Sequence, residues 1–253
     1  MSSVDFLTVG RGPGLVVIPG TTRRAHHYGA LAAALSDAYT VHVIERRGRG
    51  ASPPQGPGYG LEQEVSDAIE VLDETGSAQL FGHSFGGLVA LHVGLRHELD
   101  RLIAYEPGVS ISGSFPIGWL DDFEQLLGRG RTATAAVKFL GGLGFLPRGP
   151  HMVALFWLSG HLTADGKDLR AVLPTVAPET HASLAADSDG TRYAAITAPT
   201  LLLGGGRSPG FLQEVLPALA ETIPQAKLVM TPEMDHNAPD LGAPATVAEL
   251  IRA

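Results

Sequence analysis

Short apolar runs that alternate with helical segments constrain this chain more than any other feature. Residues 15–18, 40–44, 79–81, 102–105, 200–203 and 227–230 are compact runs rich in Val, Ile and Leu, bounded by Gly and Pro. Such runs read as buried strands of a mostly parallel sheet. Between them lie helical patterns at residues 28–36, 61–74, 85–96 and 211–222. In the second, Leu61, Val65, Ala68, Ile69 and Leu72 share one face, with Glu62, Asp67, Glu70 and Asp73 off it. Strand and helix in alternation predict an α/β fold, a doubly wound and mostly parallel sheet.

One stretch breaks the rhythm. From about residue 110 to 192 no strand pattern occurs, only short helical patches near 119–127, 132–140, 151–158 and 168–173. This reads as a helical cap inserted into the sheet domain, with the core at 1–110 and 191–253 and the cap at 111–190. Most of its aromatic residues are expected to form its own core. Trp119, Phe123, Phe156 and Trp157 are the candidates for lining a substrate pocket.

Composition removes several chemistries. The 253 residues suit one domain of ordinary size. There is no cysteine, so disulfides, a thiol nucleophile, thiolate zinc and cysteine-ligated clusters are excluded. A net charge of −8 leaves no basic footprint for nucleic acid or an anionic membrane. The first residues lack the basic and apolar regions of a signal peptide, and no apolar run of membrane-spanning length occurs. A soluble, cytoplasmic protein is the expectation. His26-His27 has no acidic partners at useful spacing, and Gly204-Gly205-Gly206 lacks the lysine of a phosphate loop. No metal and no cofactor is therefore expected. No pattern specifies an oligomeric state.

The chemistry sits in Gly82-His83-Ser84-Phe85-Gly86-Gly87, where a strand run meets a helical run. This is Gly-x-Ser-x-Gly, the nucleophile elbow. Glycines two before and two after the serine relieve crowding in a strained turn that lifts the hydroxyl above the sheet. The N–H of Phe85, at the helix start, then faces a developing oxyanion. With Pro19-Gly20-Thr21-Thr22 after the first strand run, the sequence resembles the α/β-hydrolase family, whose loop at this place usually reads His-Gly-x. Here Pro19 replaces the histidine, and the resemblance implies that the N–H of Thr21 is the second oxyanion donor. Glu45-Arg46-Arg47-Gly48-Arg49-Gly50-Ala51-Ser52 is similar to the family's Asp-x-Arg-Gly-x-Gly-x-Ser, with Glu45 for the usual Asp. It reads as tight turns and charge pairs holding the active-site loops. The resemblance spans nearly the whole chain and implies the α/β-hydrolase fold.

A serine needs a base near neutral pH. In this family the base follows the last strand, and beyond His181 the chain has only His236. His83, beside the serine, is expected to point elsewhere. The third member usually follows the strand at 200–203, but no carboxylate occurs between Asp189 and Glu214, and Ser208 stands about where it would be. Some members carry the acid on the strand after the elbow, where this chain has Glu106. Glu106 is therefore assigned to orient His236, with Asp235 and Asp240 as alternatives.

The leading reading is a serine hydrolase cleaving an ester, lactone or thioester of a small to medium hydrophobic substrate through an acyl-enzyme on Ser84. Two other readings use the same residues. One is a lyase or cofactor-free oxygenase with His236 as base on the substrate. The other is a ligand-binding protein without turnover.

Overall fold

The computed structural model describes residues 2–147 and 149–253. Seven strands form one sheet: β1 (Phe6–Gly10), β2 (Gly14–Ile18), β3 (Thr40–Ile44), β4 (Gln79–His83), β5 (Arg101–Tyr105), β6 (Thr200–Gly205) and β7 (Ala226–Thr231). Their order is β1-β3-β2-β4-β5-β6-β7. β1 is antiparallel to β3, and all other pairs are parallel.

The period-2 alternation of a strand explains the layers. Val16, Ile18, Leu80, Leu102, Ala104 and Leu202 point to one face. There they meet α2 (Leu61–Thr75), α3 (Phe85–Gly94) and α9 (Gly210–Thr222). Leu15, Val17, Phe81, Ile103, Leu201 and Leu203 point to the other, against α1 (Gly29–Leu35) and α10 (Pro244–Arg252). The centre of the sheet is thus buried on both sides, which is why β2 to β6 read as continuous apolar runs. α3 buries residues 85–93 without a break, as expected of a helix at the centre of a core. α2 ends at Gly76 in the left-handed conformation (φ 64°), a frequent helix stop. One residue of α2 departs from expectation. Asp67, read as off the buried face, is buried and pairs with Arg47 at 2.6 Å.

β5 and β6 are neighbours in the sheet, yet about ninety residues separate them in the chain. Among the described residues five α-helices lie in the gap: α4 (Leu120–Gly128), α5 (Thr132–Gly142), α6 (Pro150–Leu162), α7 (Ala164–Val172) and α8 (Val176–Ala185). The two ends of this insertion pair with each other at Ile111 and Ser188. Trp119, Phe123, Phe139, Leu173 and Val176 form its separate apolar core. Among the described residues, no helix is long and apolar enough to cross a membrane.

Candidate active site

Ser84 lies between β4 and α3 with φ 56° and ψ −122°, a conformation that L residues rarely adopt. The surrounding glycines enforce it. A Cβ on Gly82 would lie 2.2 Å from the Gly86 carbonyl oxygen, and one on Gly86 would lie 2.2 Å from the Ile18 carbonyl oxygen. The helix start therefore presses against both its own strand and the end of β2. Non-glycine strain of this kind persists where the surroundings over-determine it, and it concentrates at functional sites.

Three side chains from distant parts of the chain meet here. Ser84 Oγ is 3.0 Å from His236 Nε2. His236 Nδ1 is 2.7 Å from Glu106 Oε2. Glu106 is fully buried at the end of β5, and its other oxygen accepts the Gly205 N–H at 2.7 Å. An ionised carboxylate on Nδ1 fixes the tautomer: Nδ1–H donates to Glu106, and the Nε2 lone pair faces the serine hydroxyl. Among the described residues, neither the Thr21 N–H nor the Phe85 N–H has an intramolecular acceptor, and both residues line the same cavity as Ser84 and His236.

The other acids lie elsewhere. Asp235 is exposed, and its carboxylate accepts the Asn237 N–H. Asp240 is buried with Arg23 Nε 2.5 Å from its Oδ2, but the contact is out of hydrogen-bond line and leaves its oxygens unsatisfied. Burial pushes the Asp240 carboxyl above its usual range, with Arg23 opposing. Ser208, at the family's usual acid position, is buried, and its hydroxyl has no partner among the described residues.

His83 points away from the serine and joins a second chain of hydrogen bonds. Its Nε2 is 2.8 Å from the His236 carbonyl oxygen, so Nε2 carries the proton. Its Nδ1 then accepts from the Tyr28 hydroxyl at 2.5 Å, and that oxygen accepts the Gly20 N–H at 3.0 Å. Burial first, then the nearness of the His236 ring and the charge of Arg23, hold the His83 imidazole well below its ordinary pKa, so it stays neutral. Sequence order gave no sign of Tyr28 in this role.

The cavity over Ser84 measures about 530 Å³. Its walls include Phe139, Leu140, Phe145, Phe156, Trp157 and Leu173 from the insertion, and Phe211 and Leu241 from the sheet domain. Phe145 stacks on His236 at 4.9 Å between centroids. Phe156 and Trp157 therefore stand where a pocket lining was expected. Trp119 and Phe123 do not: both are buried within the insertion's own core, edge-to-face at 5.6 Å, off the cavity wall. A large aromatic at helical spacing reads alike in either place.

Only His26, His27 and Asp168 bring three metal-ligating groups together among the described residues. They fit a metal poorly. His27 Nδ1 accepts the Arg24 N–H at 2.9 Å, so its Nε2 bears a proton and offers no lone pair. Asp168 is already held by Arg24 and His26. Instead the cluster fastens α7 to the loop after β2.

Comparison with known proteins agrees with this geometry. The family model described as "Alpha/beta hydrolase family" matches residues 15–250. An N-formylmaleamate deformylase of Pseudomonas putida is 33% identical over 110 residues, 41% of this chain and 41% of that protein. A pimeloyl-[acyl-carrier protein] methyl ester esterase of Aeromonas hydrophila is 34% identical over 101 residues, 40% of this chain and 39% of its own. The chain thus matches about two fifths of the length of these relatives. The crystal structure of an alpha/beta hydrolase from Sphaerobacter thermophilus superposes with a TM-score of 0.82 at 29% identity, covering 98% of this chain and 94% of the other.

Proposed function

The chain belongs to the alpha/beta hydrolase family, and on that premise we propose that it is a serine hydrolase acting through an acyl-enzyme on Ser84. Its substrate is an ester, lactone or thioester with a small to medium hydrophobic acyl or aryl part. The observation that carries this reading is the unbroken run of hydrogen bonds from Ser84 Oγ through His236 to Glu106. The relatives' names, a deformylase and a methyl ester esterase, are hydrolytic in keeping with it.

In this reading His236 Nε2 takes the Ser84 proton as Oγ attacks the acyl carbon. The N–H groups of Thr21 and Phe85 receive the oxyanion. Glu106 stabilises the imidazolium without taking its proton. The tetrahedral adduct collapses, the bond to the leaving group breaks, and His236 Nε2 protonates that group as it departs. Water then repeats the sequence, with His236 as base, to release the acid and restore Ser84. The helical insertion serves as a cap whose phenyl and leucyl walls take the apolar part of the substrate and exclude water.

Turnover of p-nitrophenyl esters of graded acyl length tests this, with a sulfonyl fluoride as active-site label. Stoichiometric labelling of Ser84 is expected, with both labelling and turnover lost in Ser84→Ala. Retention of most turnover by Ser84→Ala, with loss in His236→Ala, would instead mean that the histidine acts directly on the substrate.

A further inference from the structure

Arg46 occupies the first of the three positions that the motif at residues 45–52 leaves open, and it is among the largest fully buried side chains. Its guanidinium is held in a fork by Glu64, with Nε to Oε2 at 2.9 Å and Nη2 to Oε1 at 3.0 Å. Its remaining nitrogen, Nη1, faces the loop after β2, 3.3 Å from the Gly20 carbonyl oxygen and 3.5 Å from that of Pro19. The same guanidinium lies 4.5 Å from the centre of the Phe85 ring. From α8, buried Glu179 reaches Arg46 at 3.2 Å and Arg49 at 2.6 Å, and the Thr21 side chain lies against its carboxylate. One buried cation thus touches both elements that present the free N–H groups of the site.

A peptide unit is planar, and in the trans form its C=O and N–H point in opposite directions. The Gly20 carbonyl and the Thr21 N–H belong to one such unit, and no cis bond occurs among the described residues. Whatever holds the Gly20 oxygen therefore aims the Thr21 N–H the other way. A positive charge on that oxygen also polarises the amide and makes its N–H a better donor. Resting on the acyl-enzyme reading above, we infer that Arg46 is a positioning residue for the oxyanion hole, aiming and polarising the Thr21 N–H through the Gly20 carbonyl, with Glu179 of the insertion holding it in place.

Arg46→Lys tests this. Lysine keeps the charge between Glu64 and Glu179, but its single ammonium cannot grip Glu64 in a fork and hold the Gly20 carbonyl together. On a p-nitrophenyl ester kcat is expected to fall about ten- to hundredfold, less than for outright loss of a donor. KM should stay within about threefold, the pattern of an interaction made in the transition state. An apolar trifluoromethyl ketone, which forms a tetrahedral oxyanion on serine, should lose affinity by the same factor as kcat/KM. The matching secondary alcohol, which forms none, should bind as before. Should Arg46→Lys fold poorly, Arg46→Met with Glu64→Gln removes the buried charges as a pair and is read in the same way. Equal losses for ketone and alcohol, or no loss for the ketone, would overturn the role of Arg46. Failure of the parent protein to form the Ser84 adduct at all would overturn the acyl-enzyme reading, and this inference with it.

Discussion

Glu106 and His236 stand 130 residues apart in the chain, yet Oε2 of the one lies 2.7 Å from Nδ1 of the other. Glu106 reaches this place from the end of β5, at φ 41°. Its second oxygen is occupied by the Gly205 N–H. The glycine-rich end of β6 therefore supplies a backbone donor to the carboxylate rather than a carboxylate of its own. Glu106→Gln should leave the fold intact and lower kcat by about 10³–10⁴-fold, because an amide can hold the wrong tautomer and cannot balance imidazolium. Steady-state kinetics with a p-nitrophenyl ester reads this directly. An unchanged rate, with loss in Asp240→Asn instead, would move the acid to Asp240.

His83 ties the backbone of His236 to Tyr28 and, through it, to Gly20. His83→Phe fills similar space but leaves the His236 carbonyl without a donor and the Tyr28 O–H without an acceptor. Each buried group left unpaired costs about 1–3 kcal/mol. With two such groups, urea unfolding should show a loss of about 2–6 kcal/mol, and kcat should fall because the loop carrying His236 loses its tether. Tyr28→Phe leaves the Gly20 N–H and His83 Nδ1 unpaired and should cost a similar amount of stability, but it keeps the His83 bond to His236 and should lower kcat less. Equal stability of His83→Phe and the parent would show that this chain of bonds bears no strain or load.

Trp119 and Phe156 separate core from pocket. The Trp119 ring packs on Phe123 and Phe139, and a Cβ on Gly142 would lie 2.4 Å from its own Cβ. Trp119→Ala should therefore cost about 3–5 kcal/mol in stability through the cavity it leaves. Phe156 lines the cavity and is only partly buried. Phe156→Ala should raise KM for bulky aryl esters by about tenfold, corresponding to one lost apolar contact, with little change in Tm. Thermal unfolding and KM measured on both variants check the contrast; a KM effect confined to Trp119→Ala would reverse the assignment.

The central parallel strands β2 to β6 were legible in the sequence because both sheet faces are covered there, which turns each of them into an apolar run. β1 was not, because Phe6–Gly10 is an edge strand with four of five residues exposed. α8 escaped for the opposite reason. It buries Glu179, Thr180 and Ser183, so no apolar stripe marks it. Within the site, Ser84, His236 and Glu106 could be named from motif and chain order. The Arg46–Glu179 contact could not, since it joins residues 133 apart whose types suit any surface ion pair. Trp119 and Phe156 show the same limit in apolar residues: spacing places them on helices, but only the packed fold says which face meets the cavity.

Buried neutral histidines make the fold less stable as the solution turns acid. Burial is the first cause in each case: His83 lies well below its ordinary pKa, and His92 falls to about 4. For His92 the charges of Arg192 and Arg96 add to burial. In the unfolded chain both revert to about 6.5. Below about pH 6.5 the unfolded state binds protons that the folded state does not, so stability falls as pH falls. For His92 the contribution is complete above about pH 6.5 and is lost through the window down to about pH 4. Each such histidine adds up to roughly 1.4 kcal/mol per pH unit to the slope within it. His92 does not line the cavity, and its Nε2 lies 3.3 Å from the Tyr193 hydroxyl, a contact that an amide can replace. His92→Gln should therefore flatten the dependence of unfolding free energy on pH by about one proton between pH 6 and 4.5, and leave kcat unaltered. Urea titrations at several pH values measure that slope, and an undiminished slope in His92→Gln would mean that His92 is already protonated in the native fold.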